Sequence, residues 1–116
     1  MDTFNVREYL KNDSFDIDEY LVMIGRAELL SREEEQALVE KAQQGDEEAM
    51  NTLLCANARF VTSLVRQYQN NGSTIQNLLK VAMCALQNVM MEYDVHSEES
   101  LITFAVPKIR EALEKM

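Results

Sequence analysis

At 116 residues, with 47% hydrophobic and 27% charged side chains, the chain is long enough to bury one core and too short for two, and its composition excludes a disordered polymer. A net charge of -9 excludes a surface that grips nucleic-acid phosphates by bulk positive charge, because that binding depends on Lys and Arg. A protein partner with a basic surface fits this charge, as does an ordinary cytosolic protein.

Three glycines and one proline are few breakers, and no strand-like alternation appears. The expectation is an all-α protein, a compact multi-helix bundle joined by short loops. Residues 3–12 form a short amphipathic pattern with Phe4, Val6, Tyr9 and Leu10 as anchors, ended by Asn12-Asp13-Ser14. The next helix starts near Asp16 or Asp18, either of which can cap it, carries Ile17, Leu21 and Ile24, and closes at Gly25 in a left-handed conformation. Ser31-Arg32-Glu33-Glu34 is a capping box, and Glu33-Glu34-Glu35 place negative charge where the helix dipole favours it. That helix carries Ala37, Leu38, Lys41 and Ala42 and stops at Gly45.

Asp46 caps the longest apolar-periodic run, through Ala49/Met50, Leu53/Leu54, Phe60/Val61, Leu64/Val65 and Tyr68. Asn57 interrupts this stripe, and a buried amide needs a hydrogen-bonding partner such as a neighbouring helix end. Asn70-Asn71-Gly72-Ser73 is the strongest turn signal, after which Ser73 or Thr74 caps a helix bearing Ile75, Leu78/Leu79, Ala82, Leu86, Val89/Met90 and Tyr93. After the loop Asp94-Val95-His96-Ser97, a last helix begins at Ser97 with Glu98 and Glu99. Pro107 sits inside its pattern of Leu101, Phe104/Ala105, Ile109, Ala112/Leu113 and Met116, and predicts a kink or a break into two pieces.

The residues offer no catalytic constellation. His96 is the single histidine and stands in a loop without a second ligand nearby, so no metal, cofactor or enzymatic chemistry is expected. Cys55 and Cys84 lack metal-type spacing, which argues against a disulfide framework and for a reducing cytoplasm. No basic-then-apolar leader and no apolar run of about eighteen residues is present, so membrane association is not expected. Met83, Met90 and Met91 read as core filling, or as an adaptable contact where exposed.

Several ordered motifs resemble the front half of bacterial primary sigma factors, the sigma-seventy-like subunits of RNA polymerase that select and open promoters. Tyr20-Leu21-Val22-Met23-Ile24-Gly25-Arg26-Ala27-Glu28-Leu29-Leu30 is similar to the first promoter-facing segment, Y-L-x-x-I-G-R-x-x-L-L. Ser31-Arg32-Glu33-Glu34-Glu35 and Gly45-Asp46-Glu47-Glu48-Ala49 resemble T-R-E-E-E and G-D-x-x-A. Ala56-Asn57-Ala58-Arg59-Phe60-Val61, continuing to Tyr68-Gln69, resembles A-N-L-R-F-V…Y-Q, and the likeness runs to Ile109-Arg110. It implies an N-terminal segment, 1–15, followed by a sigma-core-like helical domain, 16–116.

The departures fall on functional positions. The family's clamp-docking helix reads D-L-I-Q-E-G and then N-x-G-L-M, whereas here Asn77-Leu78-Leu79-Lys80-Val81-Ala82 precedes Met83-Cys84-Ala85-Leu86-Gln87. The family's melting helix reads like R-G-F-K-F-x-S/T-Y-A-x-W-W-I-R. In its place stand Glu98-Glu99-Ser100-Leu101-Ile102-Thr103-Phe104-Ala105-Val106-Pro107-Lys108-Ile109-Arg110, with Phe104 the one aromatic kept and Pro107-Lys108 where the tryptophans belong. Each stacked base is worth ~1–3 kcal/mol, so the losses predict a chain that does not melt promoter DNA alone.

The resemblance implies RNA polymerase, through the clamp of its largest subunit, as partner, with Asn77, Leu78, Lys80 and Gln87 as contact candidates. It implies Tyr20, Arg26, Asn57, Thr103, Phe104, Lys108 and Arg110 as candidates for promoter DNA. Three readings stay open: a transcription-initiation protein that touches polymerase or DNA, a sigma mimic that binds the polymerase or a sigma regulator without opening DNA, and a relic that folds and does little. Oligomeric state is not legible.

Overall fold

A computed structural model describes residues 4–116, apart from the side chains of residues 70 and 71. Thr3, the start of the first predicted pattern, lies outside the described residues. Among them there are helices and no strand: α1 (Val6–Leu10), α2 (Ile17–Gly25), α3 (Arg32–Gln43), α4 (Glu47–Val65), a 3₁₀ segment (Arg66–Asn71), α5 (Ile75–Glu92) and α6 (Leu101–Glu114). The all-α bundle is therefore as its sequence pattern implies.

The helix starts follow side-chain capping. Asp16 accepts from the Asp18 and Glu19 N–H groups, Asp46 from Ala49, Thr74 from Asn77 and Ser100 from Thr103. Ser31 and Glu34 close a reciprocal capping box at α3, with bonds of 3.1 and 2.9 Å. Such caps satisfy N–H groups that have no partner within the helix.

Between α3 and α4, Gly45 takes φ 100°. Its N–H reaches the Ala42 carbonyl at 3.0 Å, and the Asp46 N–H reaches Lys41 at 3.0 Å. This paired closure is the Schellman arrangement, and it needs a residue without a Cβ at Gly45. Asp46 thus finishes one helix with its backbone and starts the next with its side chain. Gly72, at φ 91°, ends the 3₁₀ segment in the same left-handed region.

Three local expectations are corrected. Gly25 is the last residue of α2 and is not left-handed, because the chain leaves through Arg26 at φ -84°. The regular part of α4 stops at Val65, short of Tyr68, and tightens into the 3₁₀ segment. The last helix starts at Leu101 rather than Ser97, and it continues through Pro107 as one element instead of two. Its start is displaced because residues 93–101 are spent on α3. Gln43 donates to the Met90 and Tyr93 carbonyls, Gln36 to Val95, and Arg32 to Ser97 and Glu99. The Glu35 carboxylate accepts from the Leu101 N–H at 3.3 Å, so part of the acidic run serves the first turn of α6.

One core runs through every helix. Val6, Leu10, Tyr20, Ile24, Val39, Leu53, Leu54, Leu78, Leu79, Met83, Leu86, Met90, Leu101 and Ile109 belong to it. Its most extensive helix contact joins α5 and α6, followed by α3 with α4 and α4 with α5. Val39 and Ala42 form the inward face of α3, while Ala37 and Lys41 are exposed. Residues 4–15 pack onto this core. An aromatic group of Phe4, Tyr9 and Phe15 surrounds Tyr20, with ring centroids 6.3, 6.2 and 5.7 Å from it.

Candidate partner-docking and nucleic-acid faces

α5 is amphipathic by its 3.6-residue repeat, so placing Leu78, Leu79, Ala82, Met83 and Leu86 inward leaves another face outward. Asn77, Lys80, Cys84 and Asn88 are exposed on that face and Gln87 is half-buried. Leu78 belongs to the inner set, fully buried. The expectation that Leu78 makes a surface contact is therefore corrected: its side chain stabilises the bundle and has no free surface.

α1 lies along this same helix. Arg7 donates to the Gln87 side chain at 3.3 Å and forms an ion pair with Glu47 at 2.6 Å. Gln76 donates to the Leu10 and Asn12 carbonyls at 2.7 and 3.0 Å. Behind α1, the buried Asn51 accepts from the Val6 N–H at 3.1 Å and donates to the Phe4 carbonyl at 2.8 Å. The Gln76 and Asn51 contacts fill backbone groups left open at and beside the ends of a five-residue helix. The docking candidates Lys80 and Gln87 consequently border a groove of about 400 Å³ whose other wall is α1.

The DNA candidates do not form one face. Tyr20 is corrected outright, since its side chain is fully buried under the residue 4–15 segment. Burial pushes its phenol from 10.0 up to about 12. The neighbouring Thr62 hydroxyl pulls the other way, but its own proton goes to the Ala58 carbonyl at 2.7 Å. The Tyr20 oxygen has no hydrogen-bonding partner among the described residues.

Arg26 is exposed at the end of α2, its guanidinium 3.7 Å from the Met23 sulfur. Asn57 is half-buried and donates to the Leu53 carbonyl one turn back, at 2.8 Å. The amide that breaks the apolar stripe is thus satisfied within its own helix, and no neighbouring helix end is needed. The buried asparagine that joins separate elements is Asn51, six residues earlier. Its sequence context gave a faint signal: Asn51 lies on the same inward arc as Leu54 and Ala58.

On α6, Thr103, Phe104 and Lys108 share the outward face. Phe104 is 37% exposed and leans on Tyr93 with 5.6 Å between ring centroids. Lys108 and Lys115 hold the Glu111 carboxyl below its ordinary value, chiefly through the Lys115 hydrogen bond. Arg110 turns toward the 3₁₀ segment after α4, its Nη1 3.3 Å from both the Gln67 amide oxygen and the Tyr68 hydroxyl.

A further outward face escaped the sequence pattern. Phe60 pairs with Val61 in the apolar run but is 51% exposed. It shares the outer arc of α4 with exposed Arg59, Ser63 and Arg66. Helical angle distinguishes the two neighbours: successive residues turn by about 100°, which carries Phe60 past the core boundary while Val61 stays inside. Among the described residues no His, Cys, Asp and Glu group is arranged to hold a metal ion, and no helix is long and apolar enough to cross a membrane.

Known proteins carry the same pattern. Residues 17–48, which build α2, α3 and the start of α4, match sigma-70 factor, region 1.2. The chain is 33% identical over 94 residues to the RNA polymerase sigma factor SigA of Listeria monocytogenes serovar 1/2a. It has the same identity over the same length to the protein of that name from Listeria innocua serovar 6a. These matches take in 81% of this chain and 25% of each relative, so the chain spans about a quarter of the length of the curated relatives it matches. With region 1.2 matched and the likeness extending over most of its helices, the chain is sigma-70-like.

Proposed function

We propose that this chain acts in transcription initiation as a sigma-like protein that docks on RNA polymerase through the outward face of α5 and does not open promoter DNA by itself. The observation that carries the reading is the likeness to primary sigma factors over 81% of the chain. Docking falls to Asn77, Lys80 and Gln87, with the clamp of the polymerase's largest subunit as the surface they meet. The missing opening activity follows from the outward face of α6, where Phe104 offers the one aromatic ring and Thr103 and Lys108 flank it. One partly packed ring cannot replace several stacking contacts of ~1–3 kcal/mol each. With Tyr20 buried, contact with DNA is left to Arg26, Asn57 and Arg110, backed by Arg59 and Phe60.

A second reading has its own support: the sealed Tyr20 and the net charge of -9 suit a sigma mimic that occupies the polymerase or a sigma regulator without engaging DNA. Capture of purified core RNA polymerase by the immobilised chain, run beside a gel shift with single-stranded promoter-opening DNA, separates these. Polymerase capture with DNA binding at physiological salt supports an initiation protein. Capture without DNA binding supports the mimic. Loss of both sinks the polymerase reading. Lys80→Glu combined with Asn77→Ala and Gln87→Ala is expected to abolish capture, and full capture by that variant would move the docking face elsewhere.

A further inference from the structure

Gln76, Lys80, Met83 and Gln87 follow a four-three-four spacing, which places them in one stripe along the side of α5. The N-terminal segment occupies that stripe. Gln76 donates to the Leu10 and Asn12 carbonyls, and Arg7 donates to the Gln87 side chain. Met83 is 1% exposed and lines the boundary between α1 and α5 with Leu10 and Lys80. Lys80 and Gln87 are also two of the residues assigned to polymerase docking, so one stripe serves an internal segment and a partner.

The internal attachment is of a kind that can open. α1 has five residues, too few to stay helical without the body beneath it. Val6 and Leu10 are its fully buried side chains, with Phe4, Tyr9 and Phe15 partly buried beside them. Its other ties are polar, to Asn51, Gln76, Gln87 and Glu47. An independent observation favours opening: the Tyr20 hydroxyl, sealed under this segment, has no hydrogen-bonding partner among the described residues. A buried hydroxyl without a partner raises the energy of the closed arrangement and regains water when its cover lifts.

We propose that residues 4–15 are an autoinhibitory strap, which occupies the docking stripe of α5 and lifts when RNA polymerase engages it. The inference rests on α5 being the polymerase-docking helix and adds the regulation of that face. Strap and partner compete for Gln87, whose side-chain oxygen accepts from Arg7 in the closed state. Lifting also frees the Gln76 amide and uncovers Met83 beside Lys80. A covered polar edge becomes an apolar anchor within a polar rim, the composition of a docking surface. The closed state lowers apparent affinity by the fraction of chains in which the stripe is free.

The test compares the full chain with two full-length variants, Arg7→Ala and Asn51→Ala, for capture of purified core RNA polymerase. Both loosen the strap from outside the docking stripe. The first releases Gln87 and Glu47, and the second releases the Phe4 carbonyl and the Val6 N–H. Amide exchange of residues 6–12 reports opening, and circular dichroism reports the bundle. Each variant is expected to exchange faster in residues 6–12 and to capture polymerase more tightly, by about tenfold where the open fraction rises tenfold. Adding Lys80→Glu to either variant is expected to erase the gain. In the parent chain bound to polymerase, residues 6–12 are expected to exchange faster than in the free chain.

Unchanged or weaker capture by variants whose residues 6–12 have opened would overturn the strap and leave polymerase docking in place. Slower exchange of residues 6–12 in the bound parent would do the same, because the segment would then belong to the interface. A gain that survives Lys80→Glu would be adhesion through uncovered apolar surface, and it too would overturn the proposal. No capture by the parent or by either opened chain would remove polymerase docking through α5, and the strap's role with it.

Discussion

The N-terminal layer and the α5–α6 pair reach the same core by different chemistry. α5 and α6 bury apolar runs, Leu78, Leu79, Ala82, Met83, Leu86, Val89 and Met90 on one and Leu101, Ala105, Ile109 and Leu113 on the other. α1 buries only Val6 and Leu10 and is held otherwise by side chains from distant positions: Asn51, Gln76 and Gln87. An apolar interface spreads its stabilisation over many atoms, whereas a polar attachment concentrates it in a few bonds whose loss strands a buried group. The first kind belongs to the cooperative unit, and the second can open without it.

The largest predicted effect tests the apolar side. Leu86→Ala leaves a cavity at a fully buried position and should cost about 3 kcal/mol in urea-induced unfolding, lowering the midpoint for every helix together. Next comes the polar side. Asn51→Ala leaves the Val6 N–H and the Phe4 carbonyl without their partner and should cost about 2 kcal/mol. Its loss should appear first as faster amide exchange and proteolysis within residues 6–12, before the α5 amides change. If Asn51→Ala and Leu86→Ala give the same exchange pattern, the two regions form one cooperative unit and the distinction fails.

This difference in chemistry also explains what was readable in the sequence. Periodicity identified α5 and α6 because apolar burial repeats every three to four residues. Caps identified helix starts wherever the partner is local, as at Ser31 for α3 and Asp46 for α4. The attachment of residues 4–15 joins residues 40 to 80 positions apart, and no local pattern encodes such a pair. The same holds for the α3 side chains that hold residues 93–101, which is why the sequence places the start of the last helix at Ser97 and the structure places it at Leu101. Site candidates came by resemblance, which is blind to burial: Leu78 stands in the apolar repeat of α5 and faces inward, and Tyr20 is sealed by residues 4–15. Phe60 is the reverse case, an apolar residue that the helix turn carries outside.

A smaller effect is expected at the junction where local signals worked best. Ser31→Ala removes the side-chain acceptor for the Glu34 N–H and should cost about 1 kcal/mol at neutral pH. The Ser31 backbone N–H, followed by its side chain, holds the Glu34 carboxyl below its ordinary value of 4.5. A carboxyl depressed in the folded state stabilises above its unfolded value, and that contribution fades as pH falls through the folded one. An acid titration monitored by circular dichroism should therefore be shallower for Glu34→Gln than for the parent chain. An unchanged slope would mean that the capping box adds nothing to acid stability.

The smallest effect near neutrality belongs to Tyr20, and it tests the sealing of the N-terminal layer most directly. Its phenol is buried without a hydrogen-bonding partner among the described residues, so Tyr20→Phe removes an unsatisfied polar group while keeping the ring against Phe4, Tyr9 and Phe15. Stability at pH 7 should change by less than about 1 kcal/mol, with a gain favoured over a loss. At high pH the two proteins should diverge. The unfolded phenol ionises near 10.0 and the buried one near 12, so the folded parent keeps a proton that the unfolded chain has lost. Its stability is fully present below the unfolded value and falls as pH rises from 10.0 toward 12. Tyr20→Phe should remove that part of the alkaline decline, measured as the urea midpoint at each pH. Parallel declines in the two proteins would mean that solvent reaches Tyr20 under its aromatic cover, and that the N-terminal layer opens at high pH before the α5–α6 pair does.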